Sequence, residues 1–116
     1  MYIVLEYADG GNLADHLDRV AGGRLAEHQA RHWFDQIVRA VAYCHCRRVA
    51  HRDLKPSNVV LFRRRKVVKL ADFGLAKRYA PGEGLKTSCG SIGYSAPEMF
   101  LGKSYDPPAV GRCAVA

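Results

Sequence analysis

Residues 51–62 read HRDLKPSNVVLF. A histidine, an arginine, an aspartate, a lysine and an asparagine crowd into the first eight positions, and Pro56 prevents a helix from running through them. The apolar run Val59 to Phe62 follows, then the basic block Arg63-Arg64-Arg65-Lys66, then VVKL at 67–70. Two β-branched runs either side of a polar turn predict a β-hairpin. The polar octet is therefore a turn that feeds a hairpin.

Upstream, the short apolar run from Tyr2 to Tyr7 predicts a strand, ended by Asp9-Gly10-Gly11. Asn12 is placed to cap a short helix, with Asp15 three residues on as an imperfect capping box. Leu13, Leu17 and Val20 give that helix one apolar stripe, and Gly22-Gly23 stop it. A longer helix is expected over 25–46, where Ala30, Trp33, Phe34, Ile37, Val41 and Cys44 recur at helical spacing. The Trp33/Phe34 pair is assigned to the core. Residues 71–95 show no sustained periodicity and are rich in Gly, Ser, Thr and Lys, which predicts a long loop.

Composition narrows the function classes. A chain of 116 residues is one small domain or part of a larger one, and 48% hydrophobic with 25% charged residues argues against disorder. The longest apolar run, IVRAVAYC, carries Arg39 in its middle, so no membrane span is expected. The start, MYIVLEYADGG, lacks a basic leader, and the chain is expected to be intracellular, cytoplasmic or nuclear. Cys44, Cys46, Cys89 and Cys113 form no CxxC pair, so neither disulfides nor a zinc site is expected. His28 and His32 have i, i+4 spacing, but Gln29 stands where a zinc protease needs glutamate. Part of the net charge of +7 sits in Arg63–Lys66, read as a solvated turn because no aromatic residues interleave with it. No nucleic-acid partner is expected.

Three clusters remain: HRDLKPSN (51–58), DFG (72–74) and APE (96–98). In this order, with a hairpin between the first two, they resemble the eukaryotic protein kinases over residues 2–106. The resemblance implies an α+β, protein-kinase-like fold, present in part. It spans the last strand of the small lobe, the hinge, and the mainly helical first half of the large lobe with its hairpin. Residues 1–106 are then a partial kinase domain, and 107–116, ending GRCAVA, are a tail that diverges from the family. LKTSCGSIGYSAPE (85–98), YIVLEYADGGNLADHL (2–17) and GKSYDPPAV (102–110) are similar to the AMP-activated-kinase-related serine/threonine kinases, the SNF-related branch in particular.

The resemblance also implies roles. Asp53 orients the substrate hydroxyl and accepts its proton, and Lys55 approaches the transferred phosphate. Asn58 and Asp72 hold Mg²⁺ through hard oxygen atoms. Leu5 falls at the gatekeeper position, main-chain groups of Glu6 and Ala8 face the adenine edge of ATP, Asn12 lies near the ribose, and Leu13 and Val60 sandwich the base. His51 and Phe73 pack beneath the site, and Ser91 faces the substrate beside the catalytic loop. Thr87 takes the activating phosphate from an upstream kinase, with Arg52 and Lys77 as its cationic partners. Taken singly, Asp53, Asn58 and Asp72 also fit turn caps. The Gly-rich loop, the strand lysine and the helix glutamate of the family have no match in residues 1–116. The chain by itself is therefore expected to be inactive, with a non-catalytic interaction module as the alternative.

Overall fold

The computed structural model describes residues 2–115. The order of its elements is α1 (Leu13–Arg19), α2 (Glu27–Cys46), β1 (Val49–Ala50), β2 (Val59–Phe62), β3 (Val67–Leu70), β4 (Lys77–Arg78) and α3 (Pro107–Val115). The strands form two antiparallel pairs, β2–β3 and β1–β4, so the architecture is mixed α+β.

Helix α1 starts where its cap predicts. Asn12 Oδ1 accepts the Asp15 amide at 2.9 Å, and Asn12 Nδ2 donates to Asp15 Oδ2 at 2.9 Å. Such a cap satisfies one of the amides that a helix start leaves unpaired. Gly22 and Gly23 follow with φ of 76° and 64°, the left-handed region that ends the turn.

Helix α2 lies across the hairpin. Trp33 and Ile37 pack against the buried face made by Val59, Leu61 and Val68, with Leu13 and Leu70 at the edge. Gln36 fixes the crossing: its Oε1 accepts from the Val68 amide at 2.9 Å and its Nε2 donates to the Lys66 carbonyl at 3.2 Å. Phe34, assigned to the core from spacing, is 51% exposed. Adjacent residues on a helix diverge by roughly 100°, so one hairpin covers Trp33 and leaves Phe34 beside it.

The hairpin register pairs Val59 with Leu70 and Phe62 with Val67. Two of the four cations in its basic turn are paired locally. Arg65 pairs with Glu6 at 3.0 Å and lies over the Phe62 ring, Arg64 approaches Asp9 at 3.8 Å, and Lys69 also pairs with Glu6.

A second core gathers Ala50, Leu85, Ala96, Met99, Tyr105 and Val110. The stretch 71–95 is mostly loop, as expected, but it contains β4, whose Lys77 pairs with Ala50. Leu85 and Tyr105 then exchange main-chain hydrogen bonds at 3.0 and 2.8 Å. Residues 107–116, set apart as a tail in the sequence, hold α3, which packs on α2 and β1. Asp106 opens α3: its Oδ2 accepts the Ala109 amide at 3.3 Å.

Residues 2–7 are not a strand. Tyr2, Ile3, Val4, Leu5 and Tyr7 are exposed. A strand exists only through hydrogen bonds to a neighbour, and among the described residues none lies alongside. The chain gains its first sheet contact further on, where Gly10 N donates to Leu61 O at 2.9 Å and Leu61 N to Gly11 O at 2.8 Å.

Candidate active site

The octet 51–58 spans the gap between the two cores. Ala50 anchors one end in the second core and Val59 the other in the hairpin core. Between them the chain turns sharply. Arg52 has φ of 68°, a left-handed backbone that costs a non-glycine residue about 1–2 kcal/mol. Its own side chain holds it there, with Nε donating to Leu75 O at 2.7 Å.

His51 is buried beneath the turn. Its Nδ1 accepts the Asp53 amide at 3.3 Å, which leaves Nε2–H to donate to Ala71 O at 2.9 Å. The edge of its ring meets Phe73 at a centroid distance of 4.6 Å. One imidazole thus ties the octet to the residues around Asp72. Asn58 adds a second tie, because its carbonyl accepts the Ala71 amide at 2.8 Å.

Asp53 is the centre of the polar network. Its Oδ1 accepts from Ser91 Oγ at 2.8 Å, and its Oδ2 accepts from Lys55 Nζ at 2.9 Å and from Asn58 Nδ2 at 3.0 Å. Lys55 Nζ also donates to Ser91 Oγ at 2.8 Å, closing a triangle. Burial alone pushes the Asp53 carboxyl up. The hydrogen bonds from Lys55, Ser91 and Asn58, with the Lys55 charge, outweigh burial and hold it below the ordinary aspartate value. The result is an ionised, oriented carboxylate at neutral pH.

Both contacts from Asn58 use its amide nitrogen, to Asp53 O at 2.8 Å and to Oδ2. Its amide oxygen has no protein partner among the described residues. Asp72 is exposed at φ of 54°, with Oδ1 accepting from Gly74 N at 3.2 Å. Thr87 and Lys77 are exposed. Arg52 reaches Thr87 only through Tyr105, whose hydroxyl accepts from Arg52 Nη1 at 3.5 Å and donates to Thr87 O at 3.0 Å. Lys77 lies in β4.

At the other edge, Asn12 and Val60 form a bridge, and Leu13 packs beside the hairpin core. Ala8 O accepts from Gly11 N at 3.3 Å, Glu6 carries the ion pairs described above, and Leu5 stands 82% exposed. Sequence reasoning placed Ser91 near the substrate without its bonds to Asp53 and Lys55, and it missed Tyr105. The Leu85–Tyr105 pairing that positions Tyr105 joins residues too far apart for a local pattern to signal.

A buried turn carboxylate, its lysine and asparagine partners, and an Asp-Phe-Gly segment tied back to the turn thus come together beside the hairpin. The chain belongs to the protein kinase domain family, whose description matches residues 1–110. It is 51% identical over 110 residues to the SNF-related serine/threonine-protein kinase of Rattus norvegicus, covering 95% of this chain and 15% of that protein. It is 53% identical over 110 residues to the serine/threonine-protein kinase SIK3 homolog of Danio rerio, covering 95% of this chain and 9% of that protein. Identity to the probable serine/threonine-protein kinase HSL1 of Saccharomyces cerevisiae is 47% over 117 residues, 99% of this chain and 8% of that protein. Among the described residues no helix is long and apolar enough to cross a membrane.

Proposed function

We propose that this segment works within a serine/threonine kinase catalytic domain, in a reaction that moves the terminal phosphoryl group of ATP to a serine or threonine hydroxyl of a protein substrate. One observation carries the reading: Asp53 is buried yet ionised, oriented by Lys55, Asn58 and Ser91. A carboxylate so held accepts a hydrogen bond from an incoming hydroxyl, aligns its oxygen and takes its proton as that oxygen bonds to phosphorus. Ser91 Oγ, 2.8 Å from Oδ1, marks a place where a hydroxyl donates to this carboxylate. Lys55 Nζ keeps a positive charge beside that point, where negative charge spreads in the transition state.

ATP and Mg²⁺ are the cofactors this reading requires; bound together, they supply the phosphoryl group and neutralise its charge. The donor set suits Mg²⁺. The Asn58 amide oxygen and the second Asp72 carboxylate oxygen are hard donors without protein partners among the described residues, and Mg²⁺ is commonly held by one or two carboxylates plus phosphate oxygens. Leu13 and Val60 would lie under the adenine, main-chain groups of Glu6 and Ala8 along its edge, Asn12 near the ribose, and Leu5 at the back. Thr87 is the proposed target of an upstream kinase, with Arg52 and Lys77 as phosphate partners. Its exposure and the Arg52–Tyr105–Thr87 chain support that assignment. An intracellular setting, cytoplasmic or nuclear, belongs to the same proposal.

The exposure of residues 2–7 favours a second reading for the 116 residues alone: a non-catalytic interaction module with weak nucleotide affinity. A Mg²⁺–ATP titration of the chain separates the two, since tight binding excludes the module. The catalytic reading is tested in a polypeptide that joins this segment to a nucleotide-binding lobe. Serine and threonine peptides are expected to accept phosphate; transfer to tyrosine alone, or none despite bound ATP, rejects it.

A further inference from the structure

The N-terminal turns of α2, helix α1 and the β2–β3 hairpin enclose an open cavity of about 440 Å³. That volume falls in the range of ligand sites, roughly 300–1,000 Å³. Its apolar part comes from Trp33, Leu61, Phe62 and Val67. Its polar part comes from His16, His28, His32, Arg63 and Lys66, beside Gln29, and no acid lines it.

Of the acids on the surrounding elements, Glu27 pairs with Arg31, Asp35 with Arg39, Glu6 with Arg65 and Lys69, Asp9 accepts from the amides of Arg63 and Arg64, Asp15 bonds the α1 cap, and Asp18 does not line the cavity. The side chains of Arg63 and Lys66 form no ion pair among the described residues. Helix α2 starts at this cavity without a side-chain cap, so its dipole adds positive potential to the same side. The walls are held in place. The His16 ring meets Trp33 edge-on at 5.3 Å, and Gln36 Nε2 donates to His32 Nε2 at 2.9 Å.

We infer that this cavity docks a peptide segment in which acidic side chains flank an apolar anchor. The anchor packs on Trp33 and Phe62, and the carboxylates face Arg63, Lys66 and the imidazoles. Charge complementarity selects this occupant, because the lining offers cations around an apolar floor and nothing that attracts a basic segment. The inference uses no residue of the Asp53 network and stands apart from the catalytic reading.

The experiment uses the full 116-residue chain, with circular dichroism confirming the helices. Trp33 is its only tryptophan, so selective tryptophan excitation reports on the cavity. Three hexapeptides are titrated: acetyl-Glu-Asp-Leu-Phe-Asp-Glu-amide, its Lys/Arg counterpart, and an acidic version with serines for Leu-Phe. Only the first is expected to give a saturable change. Its affinity is expected to fall at least tenfold in the Arg63→Glu/Lys66→Glu double variant, and to fall with added salt. If that variant does not fold, the three-peptide comparison in the wild type decides alone. Absence of saturable binding, equal binding of the basic peptide, or full affinity in the folded double variant overturns the inference. So does an oligonucleotide that binds as tightly as the acidic peptide.

Discussion

Asp53→Asn separates the chemistry of the site from its architecture. The asparagine keeps the shape of the side chain, and the network around it accommodates the change on one side only. If the amide oxygen stays at the Oδ2 position, it still accepts from Lys55 and Asn58. The new NH₂ then faces Ser91 Oγ, a hydroxyl that reverses its role and accepts. No donor is forced against another donor. The loss to stability is the charge pair with Lys55, whose ammonium is partly exposed, so less than the about 3–5 kcal/mol of breaking a fully buried pair is expected. The loss to catalysis is larger, because a neutral amide cannot take the substrate proton. General-base contributions of about 10²–10⁴-fold correspond to about 2.7–5.4 kcal/mol in the barrier. The assay is phosphate transfer to a serine peptide by a polypeptide joining this segment to a nucleotide-binding lobe, with its thermal unfolding measured in parallel. Activity within about tenfold of wild type, about 1.4 kcal/mol, refutes the role assigned to Asp53. So does an activity loss that merely tracks unfolding.

Three further outcomes test other parts of the structure. Gly10→Ala places a methyl 2.6 Å from Leu61 Cβ and 2.8 Å from Leu61 O, and overpacking of about 1–3 kcal/mol is expected in urea unfolding. At Gly11 the same change meets open space but a φ of +70°, so about 1–2 kcal/mol is lost through backbone strain; stability unchanged in both variants contradicts the hinge–hairpin contact. Tyr105→Phe removes the hydroxyl that joins Arg52 to Thr87, and should speed amide exchange around residues 85–89 while leaving the hairpin protected; equal exchange throughout refutes the link. Lys55→Met tests the Asp53 charge by linkage. The depressed Asp53 value contributes stability that is present above the unfolded value of 3.8 and lost as pH falls through the folded one. Wild type should therefore exceed the variant at about pH 7 and converge with it at about pH 2; a constant difference refutes the assignment.

The parts legible in the sequence are those governed by local pattern. Asn12 and Asp15 announce the start of α1 because a cap acts within one turn, and the Val59–Leu70 hairpin follows from two runs around a polar turn. Trp33, Ile37 and Val41 mark the inner face of α2 through their spacing, but Phe34 does not, since spacing cannot tell how wide the covering surface is. The expected strand at residues 2–7 fails for a related reason: β-branched residues suit a sheet, but the sheet is made by a neighbour. The β1–β4 pair of two residues each is fixed by a contact across the chain and leaves no periodic trace. Helix α3 did carry a signal, Asp106 followed by Pro107 and Pro108, an N-cap and prolines in the first turn. In the site, residue types pointed to Asp53, Lys55 and Asn58, while the bonds from Ser91 and the Tyr105 link required the folded return of the loop.

The placement of the octet between two small cores explains how a short turn is held rigid enough for chemistry. Each core contributes one end, and neither alone fixes the strained middle at Arg52. The middle is over-determined by side chains from later in the chain: Leu75 and Tyr105 on Arg52, Ala71 on His51, and Ser91 on Asp53. Three of these partners lie in the irregular stretch 71–95. This stretch, which gives the Ala50–Val110 core its Leu85, therefore also sets the geometry of the carboxylate through Ser91. The phosphate proposed on Thr87 would act along this route, by way of Tyr105 and Arg52. Tyr105 links the second core to the site through Arg52, whereas the hairpin packs in the other core, with Val59, Leu61 and Val68.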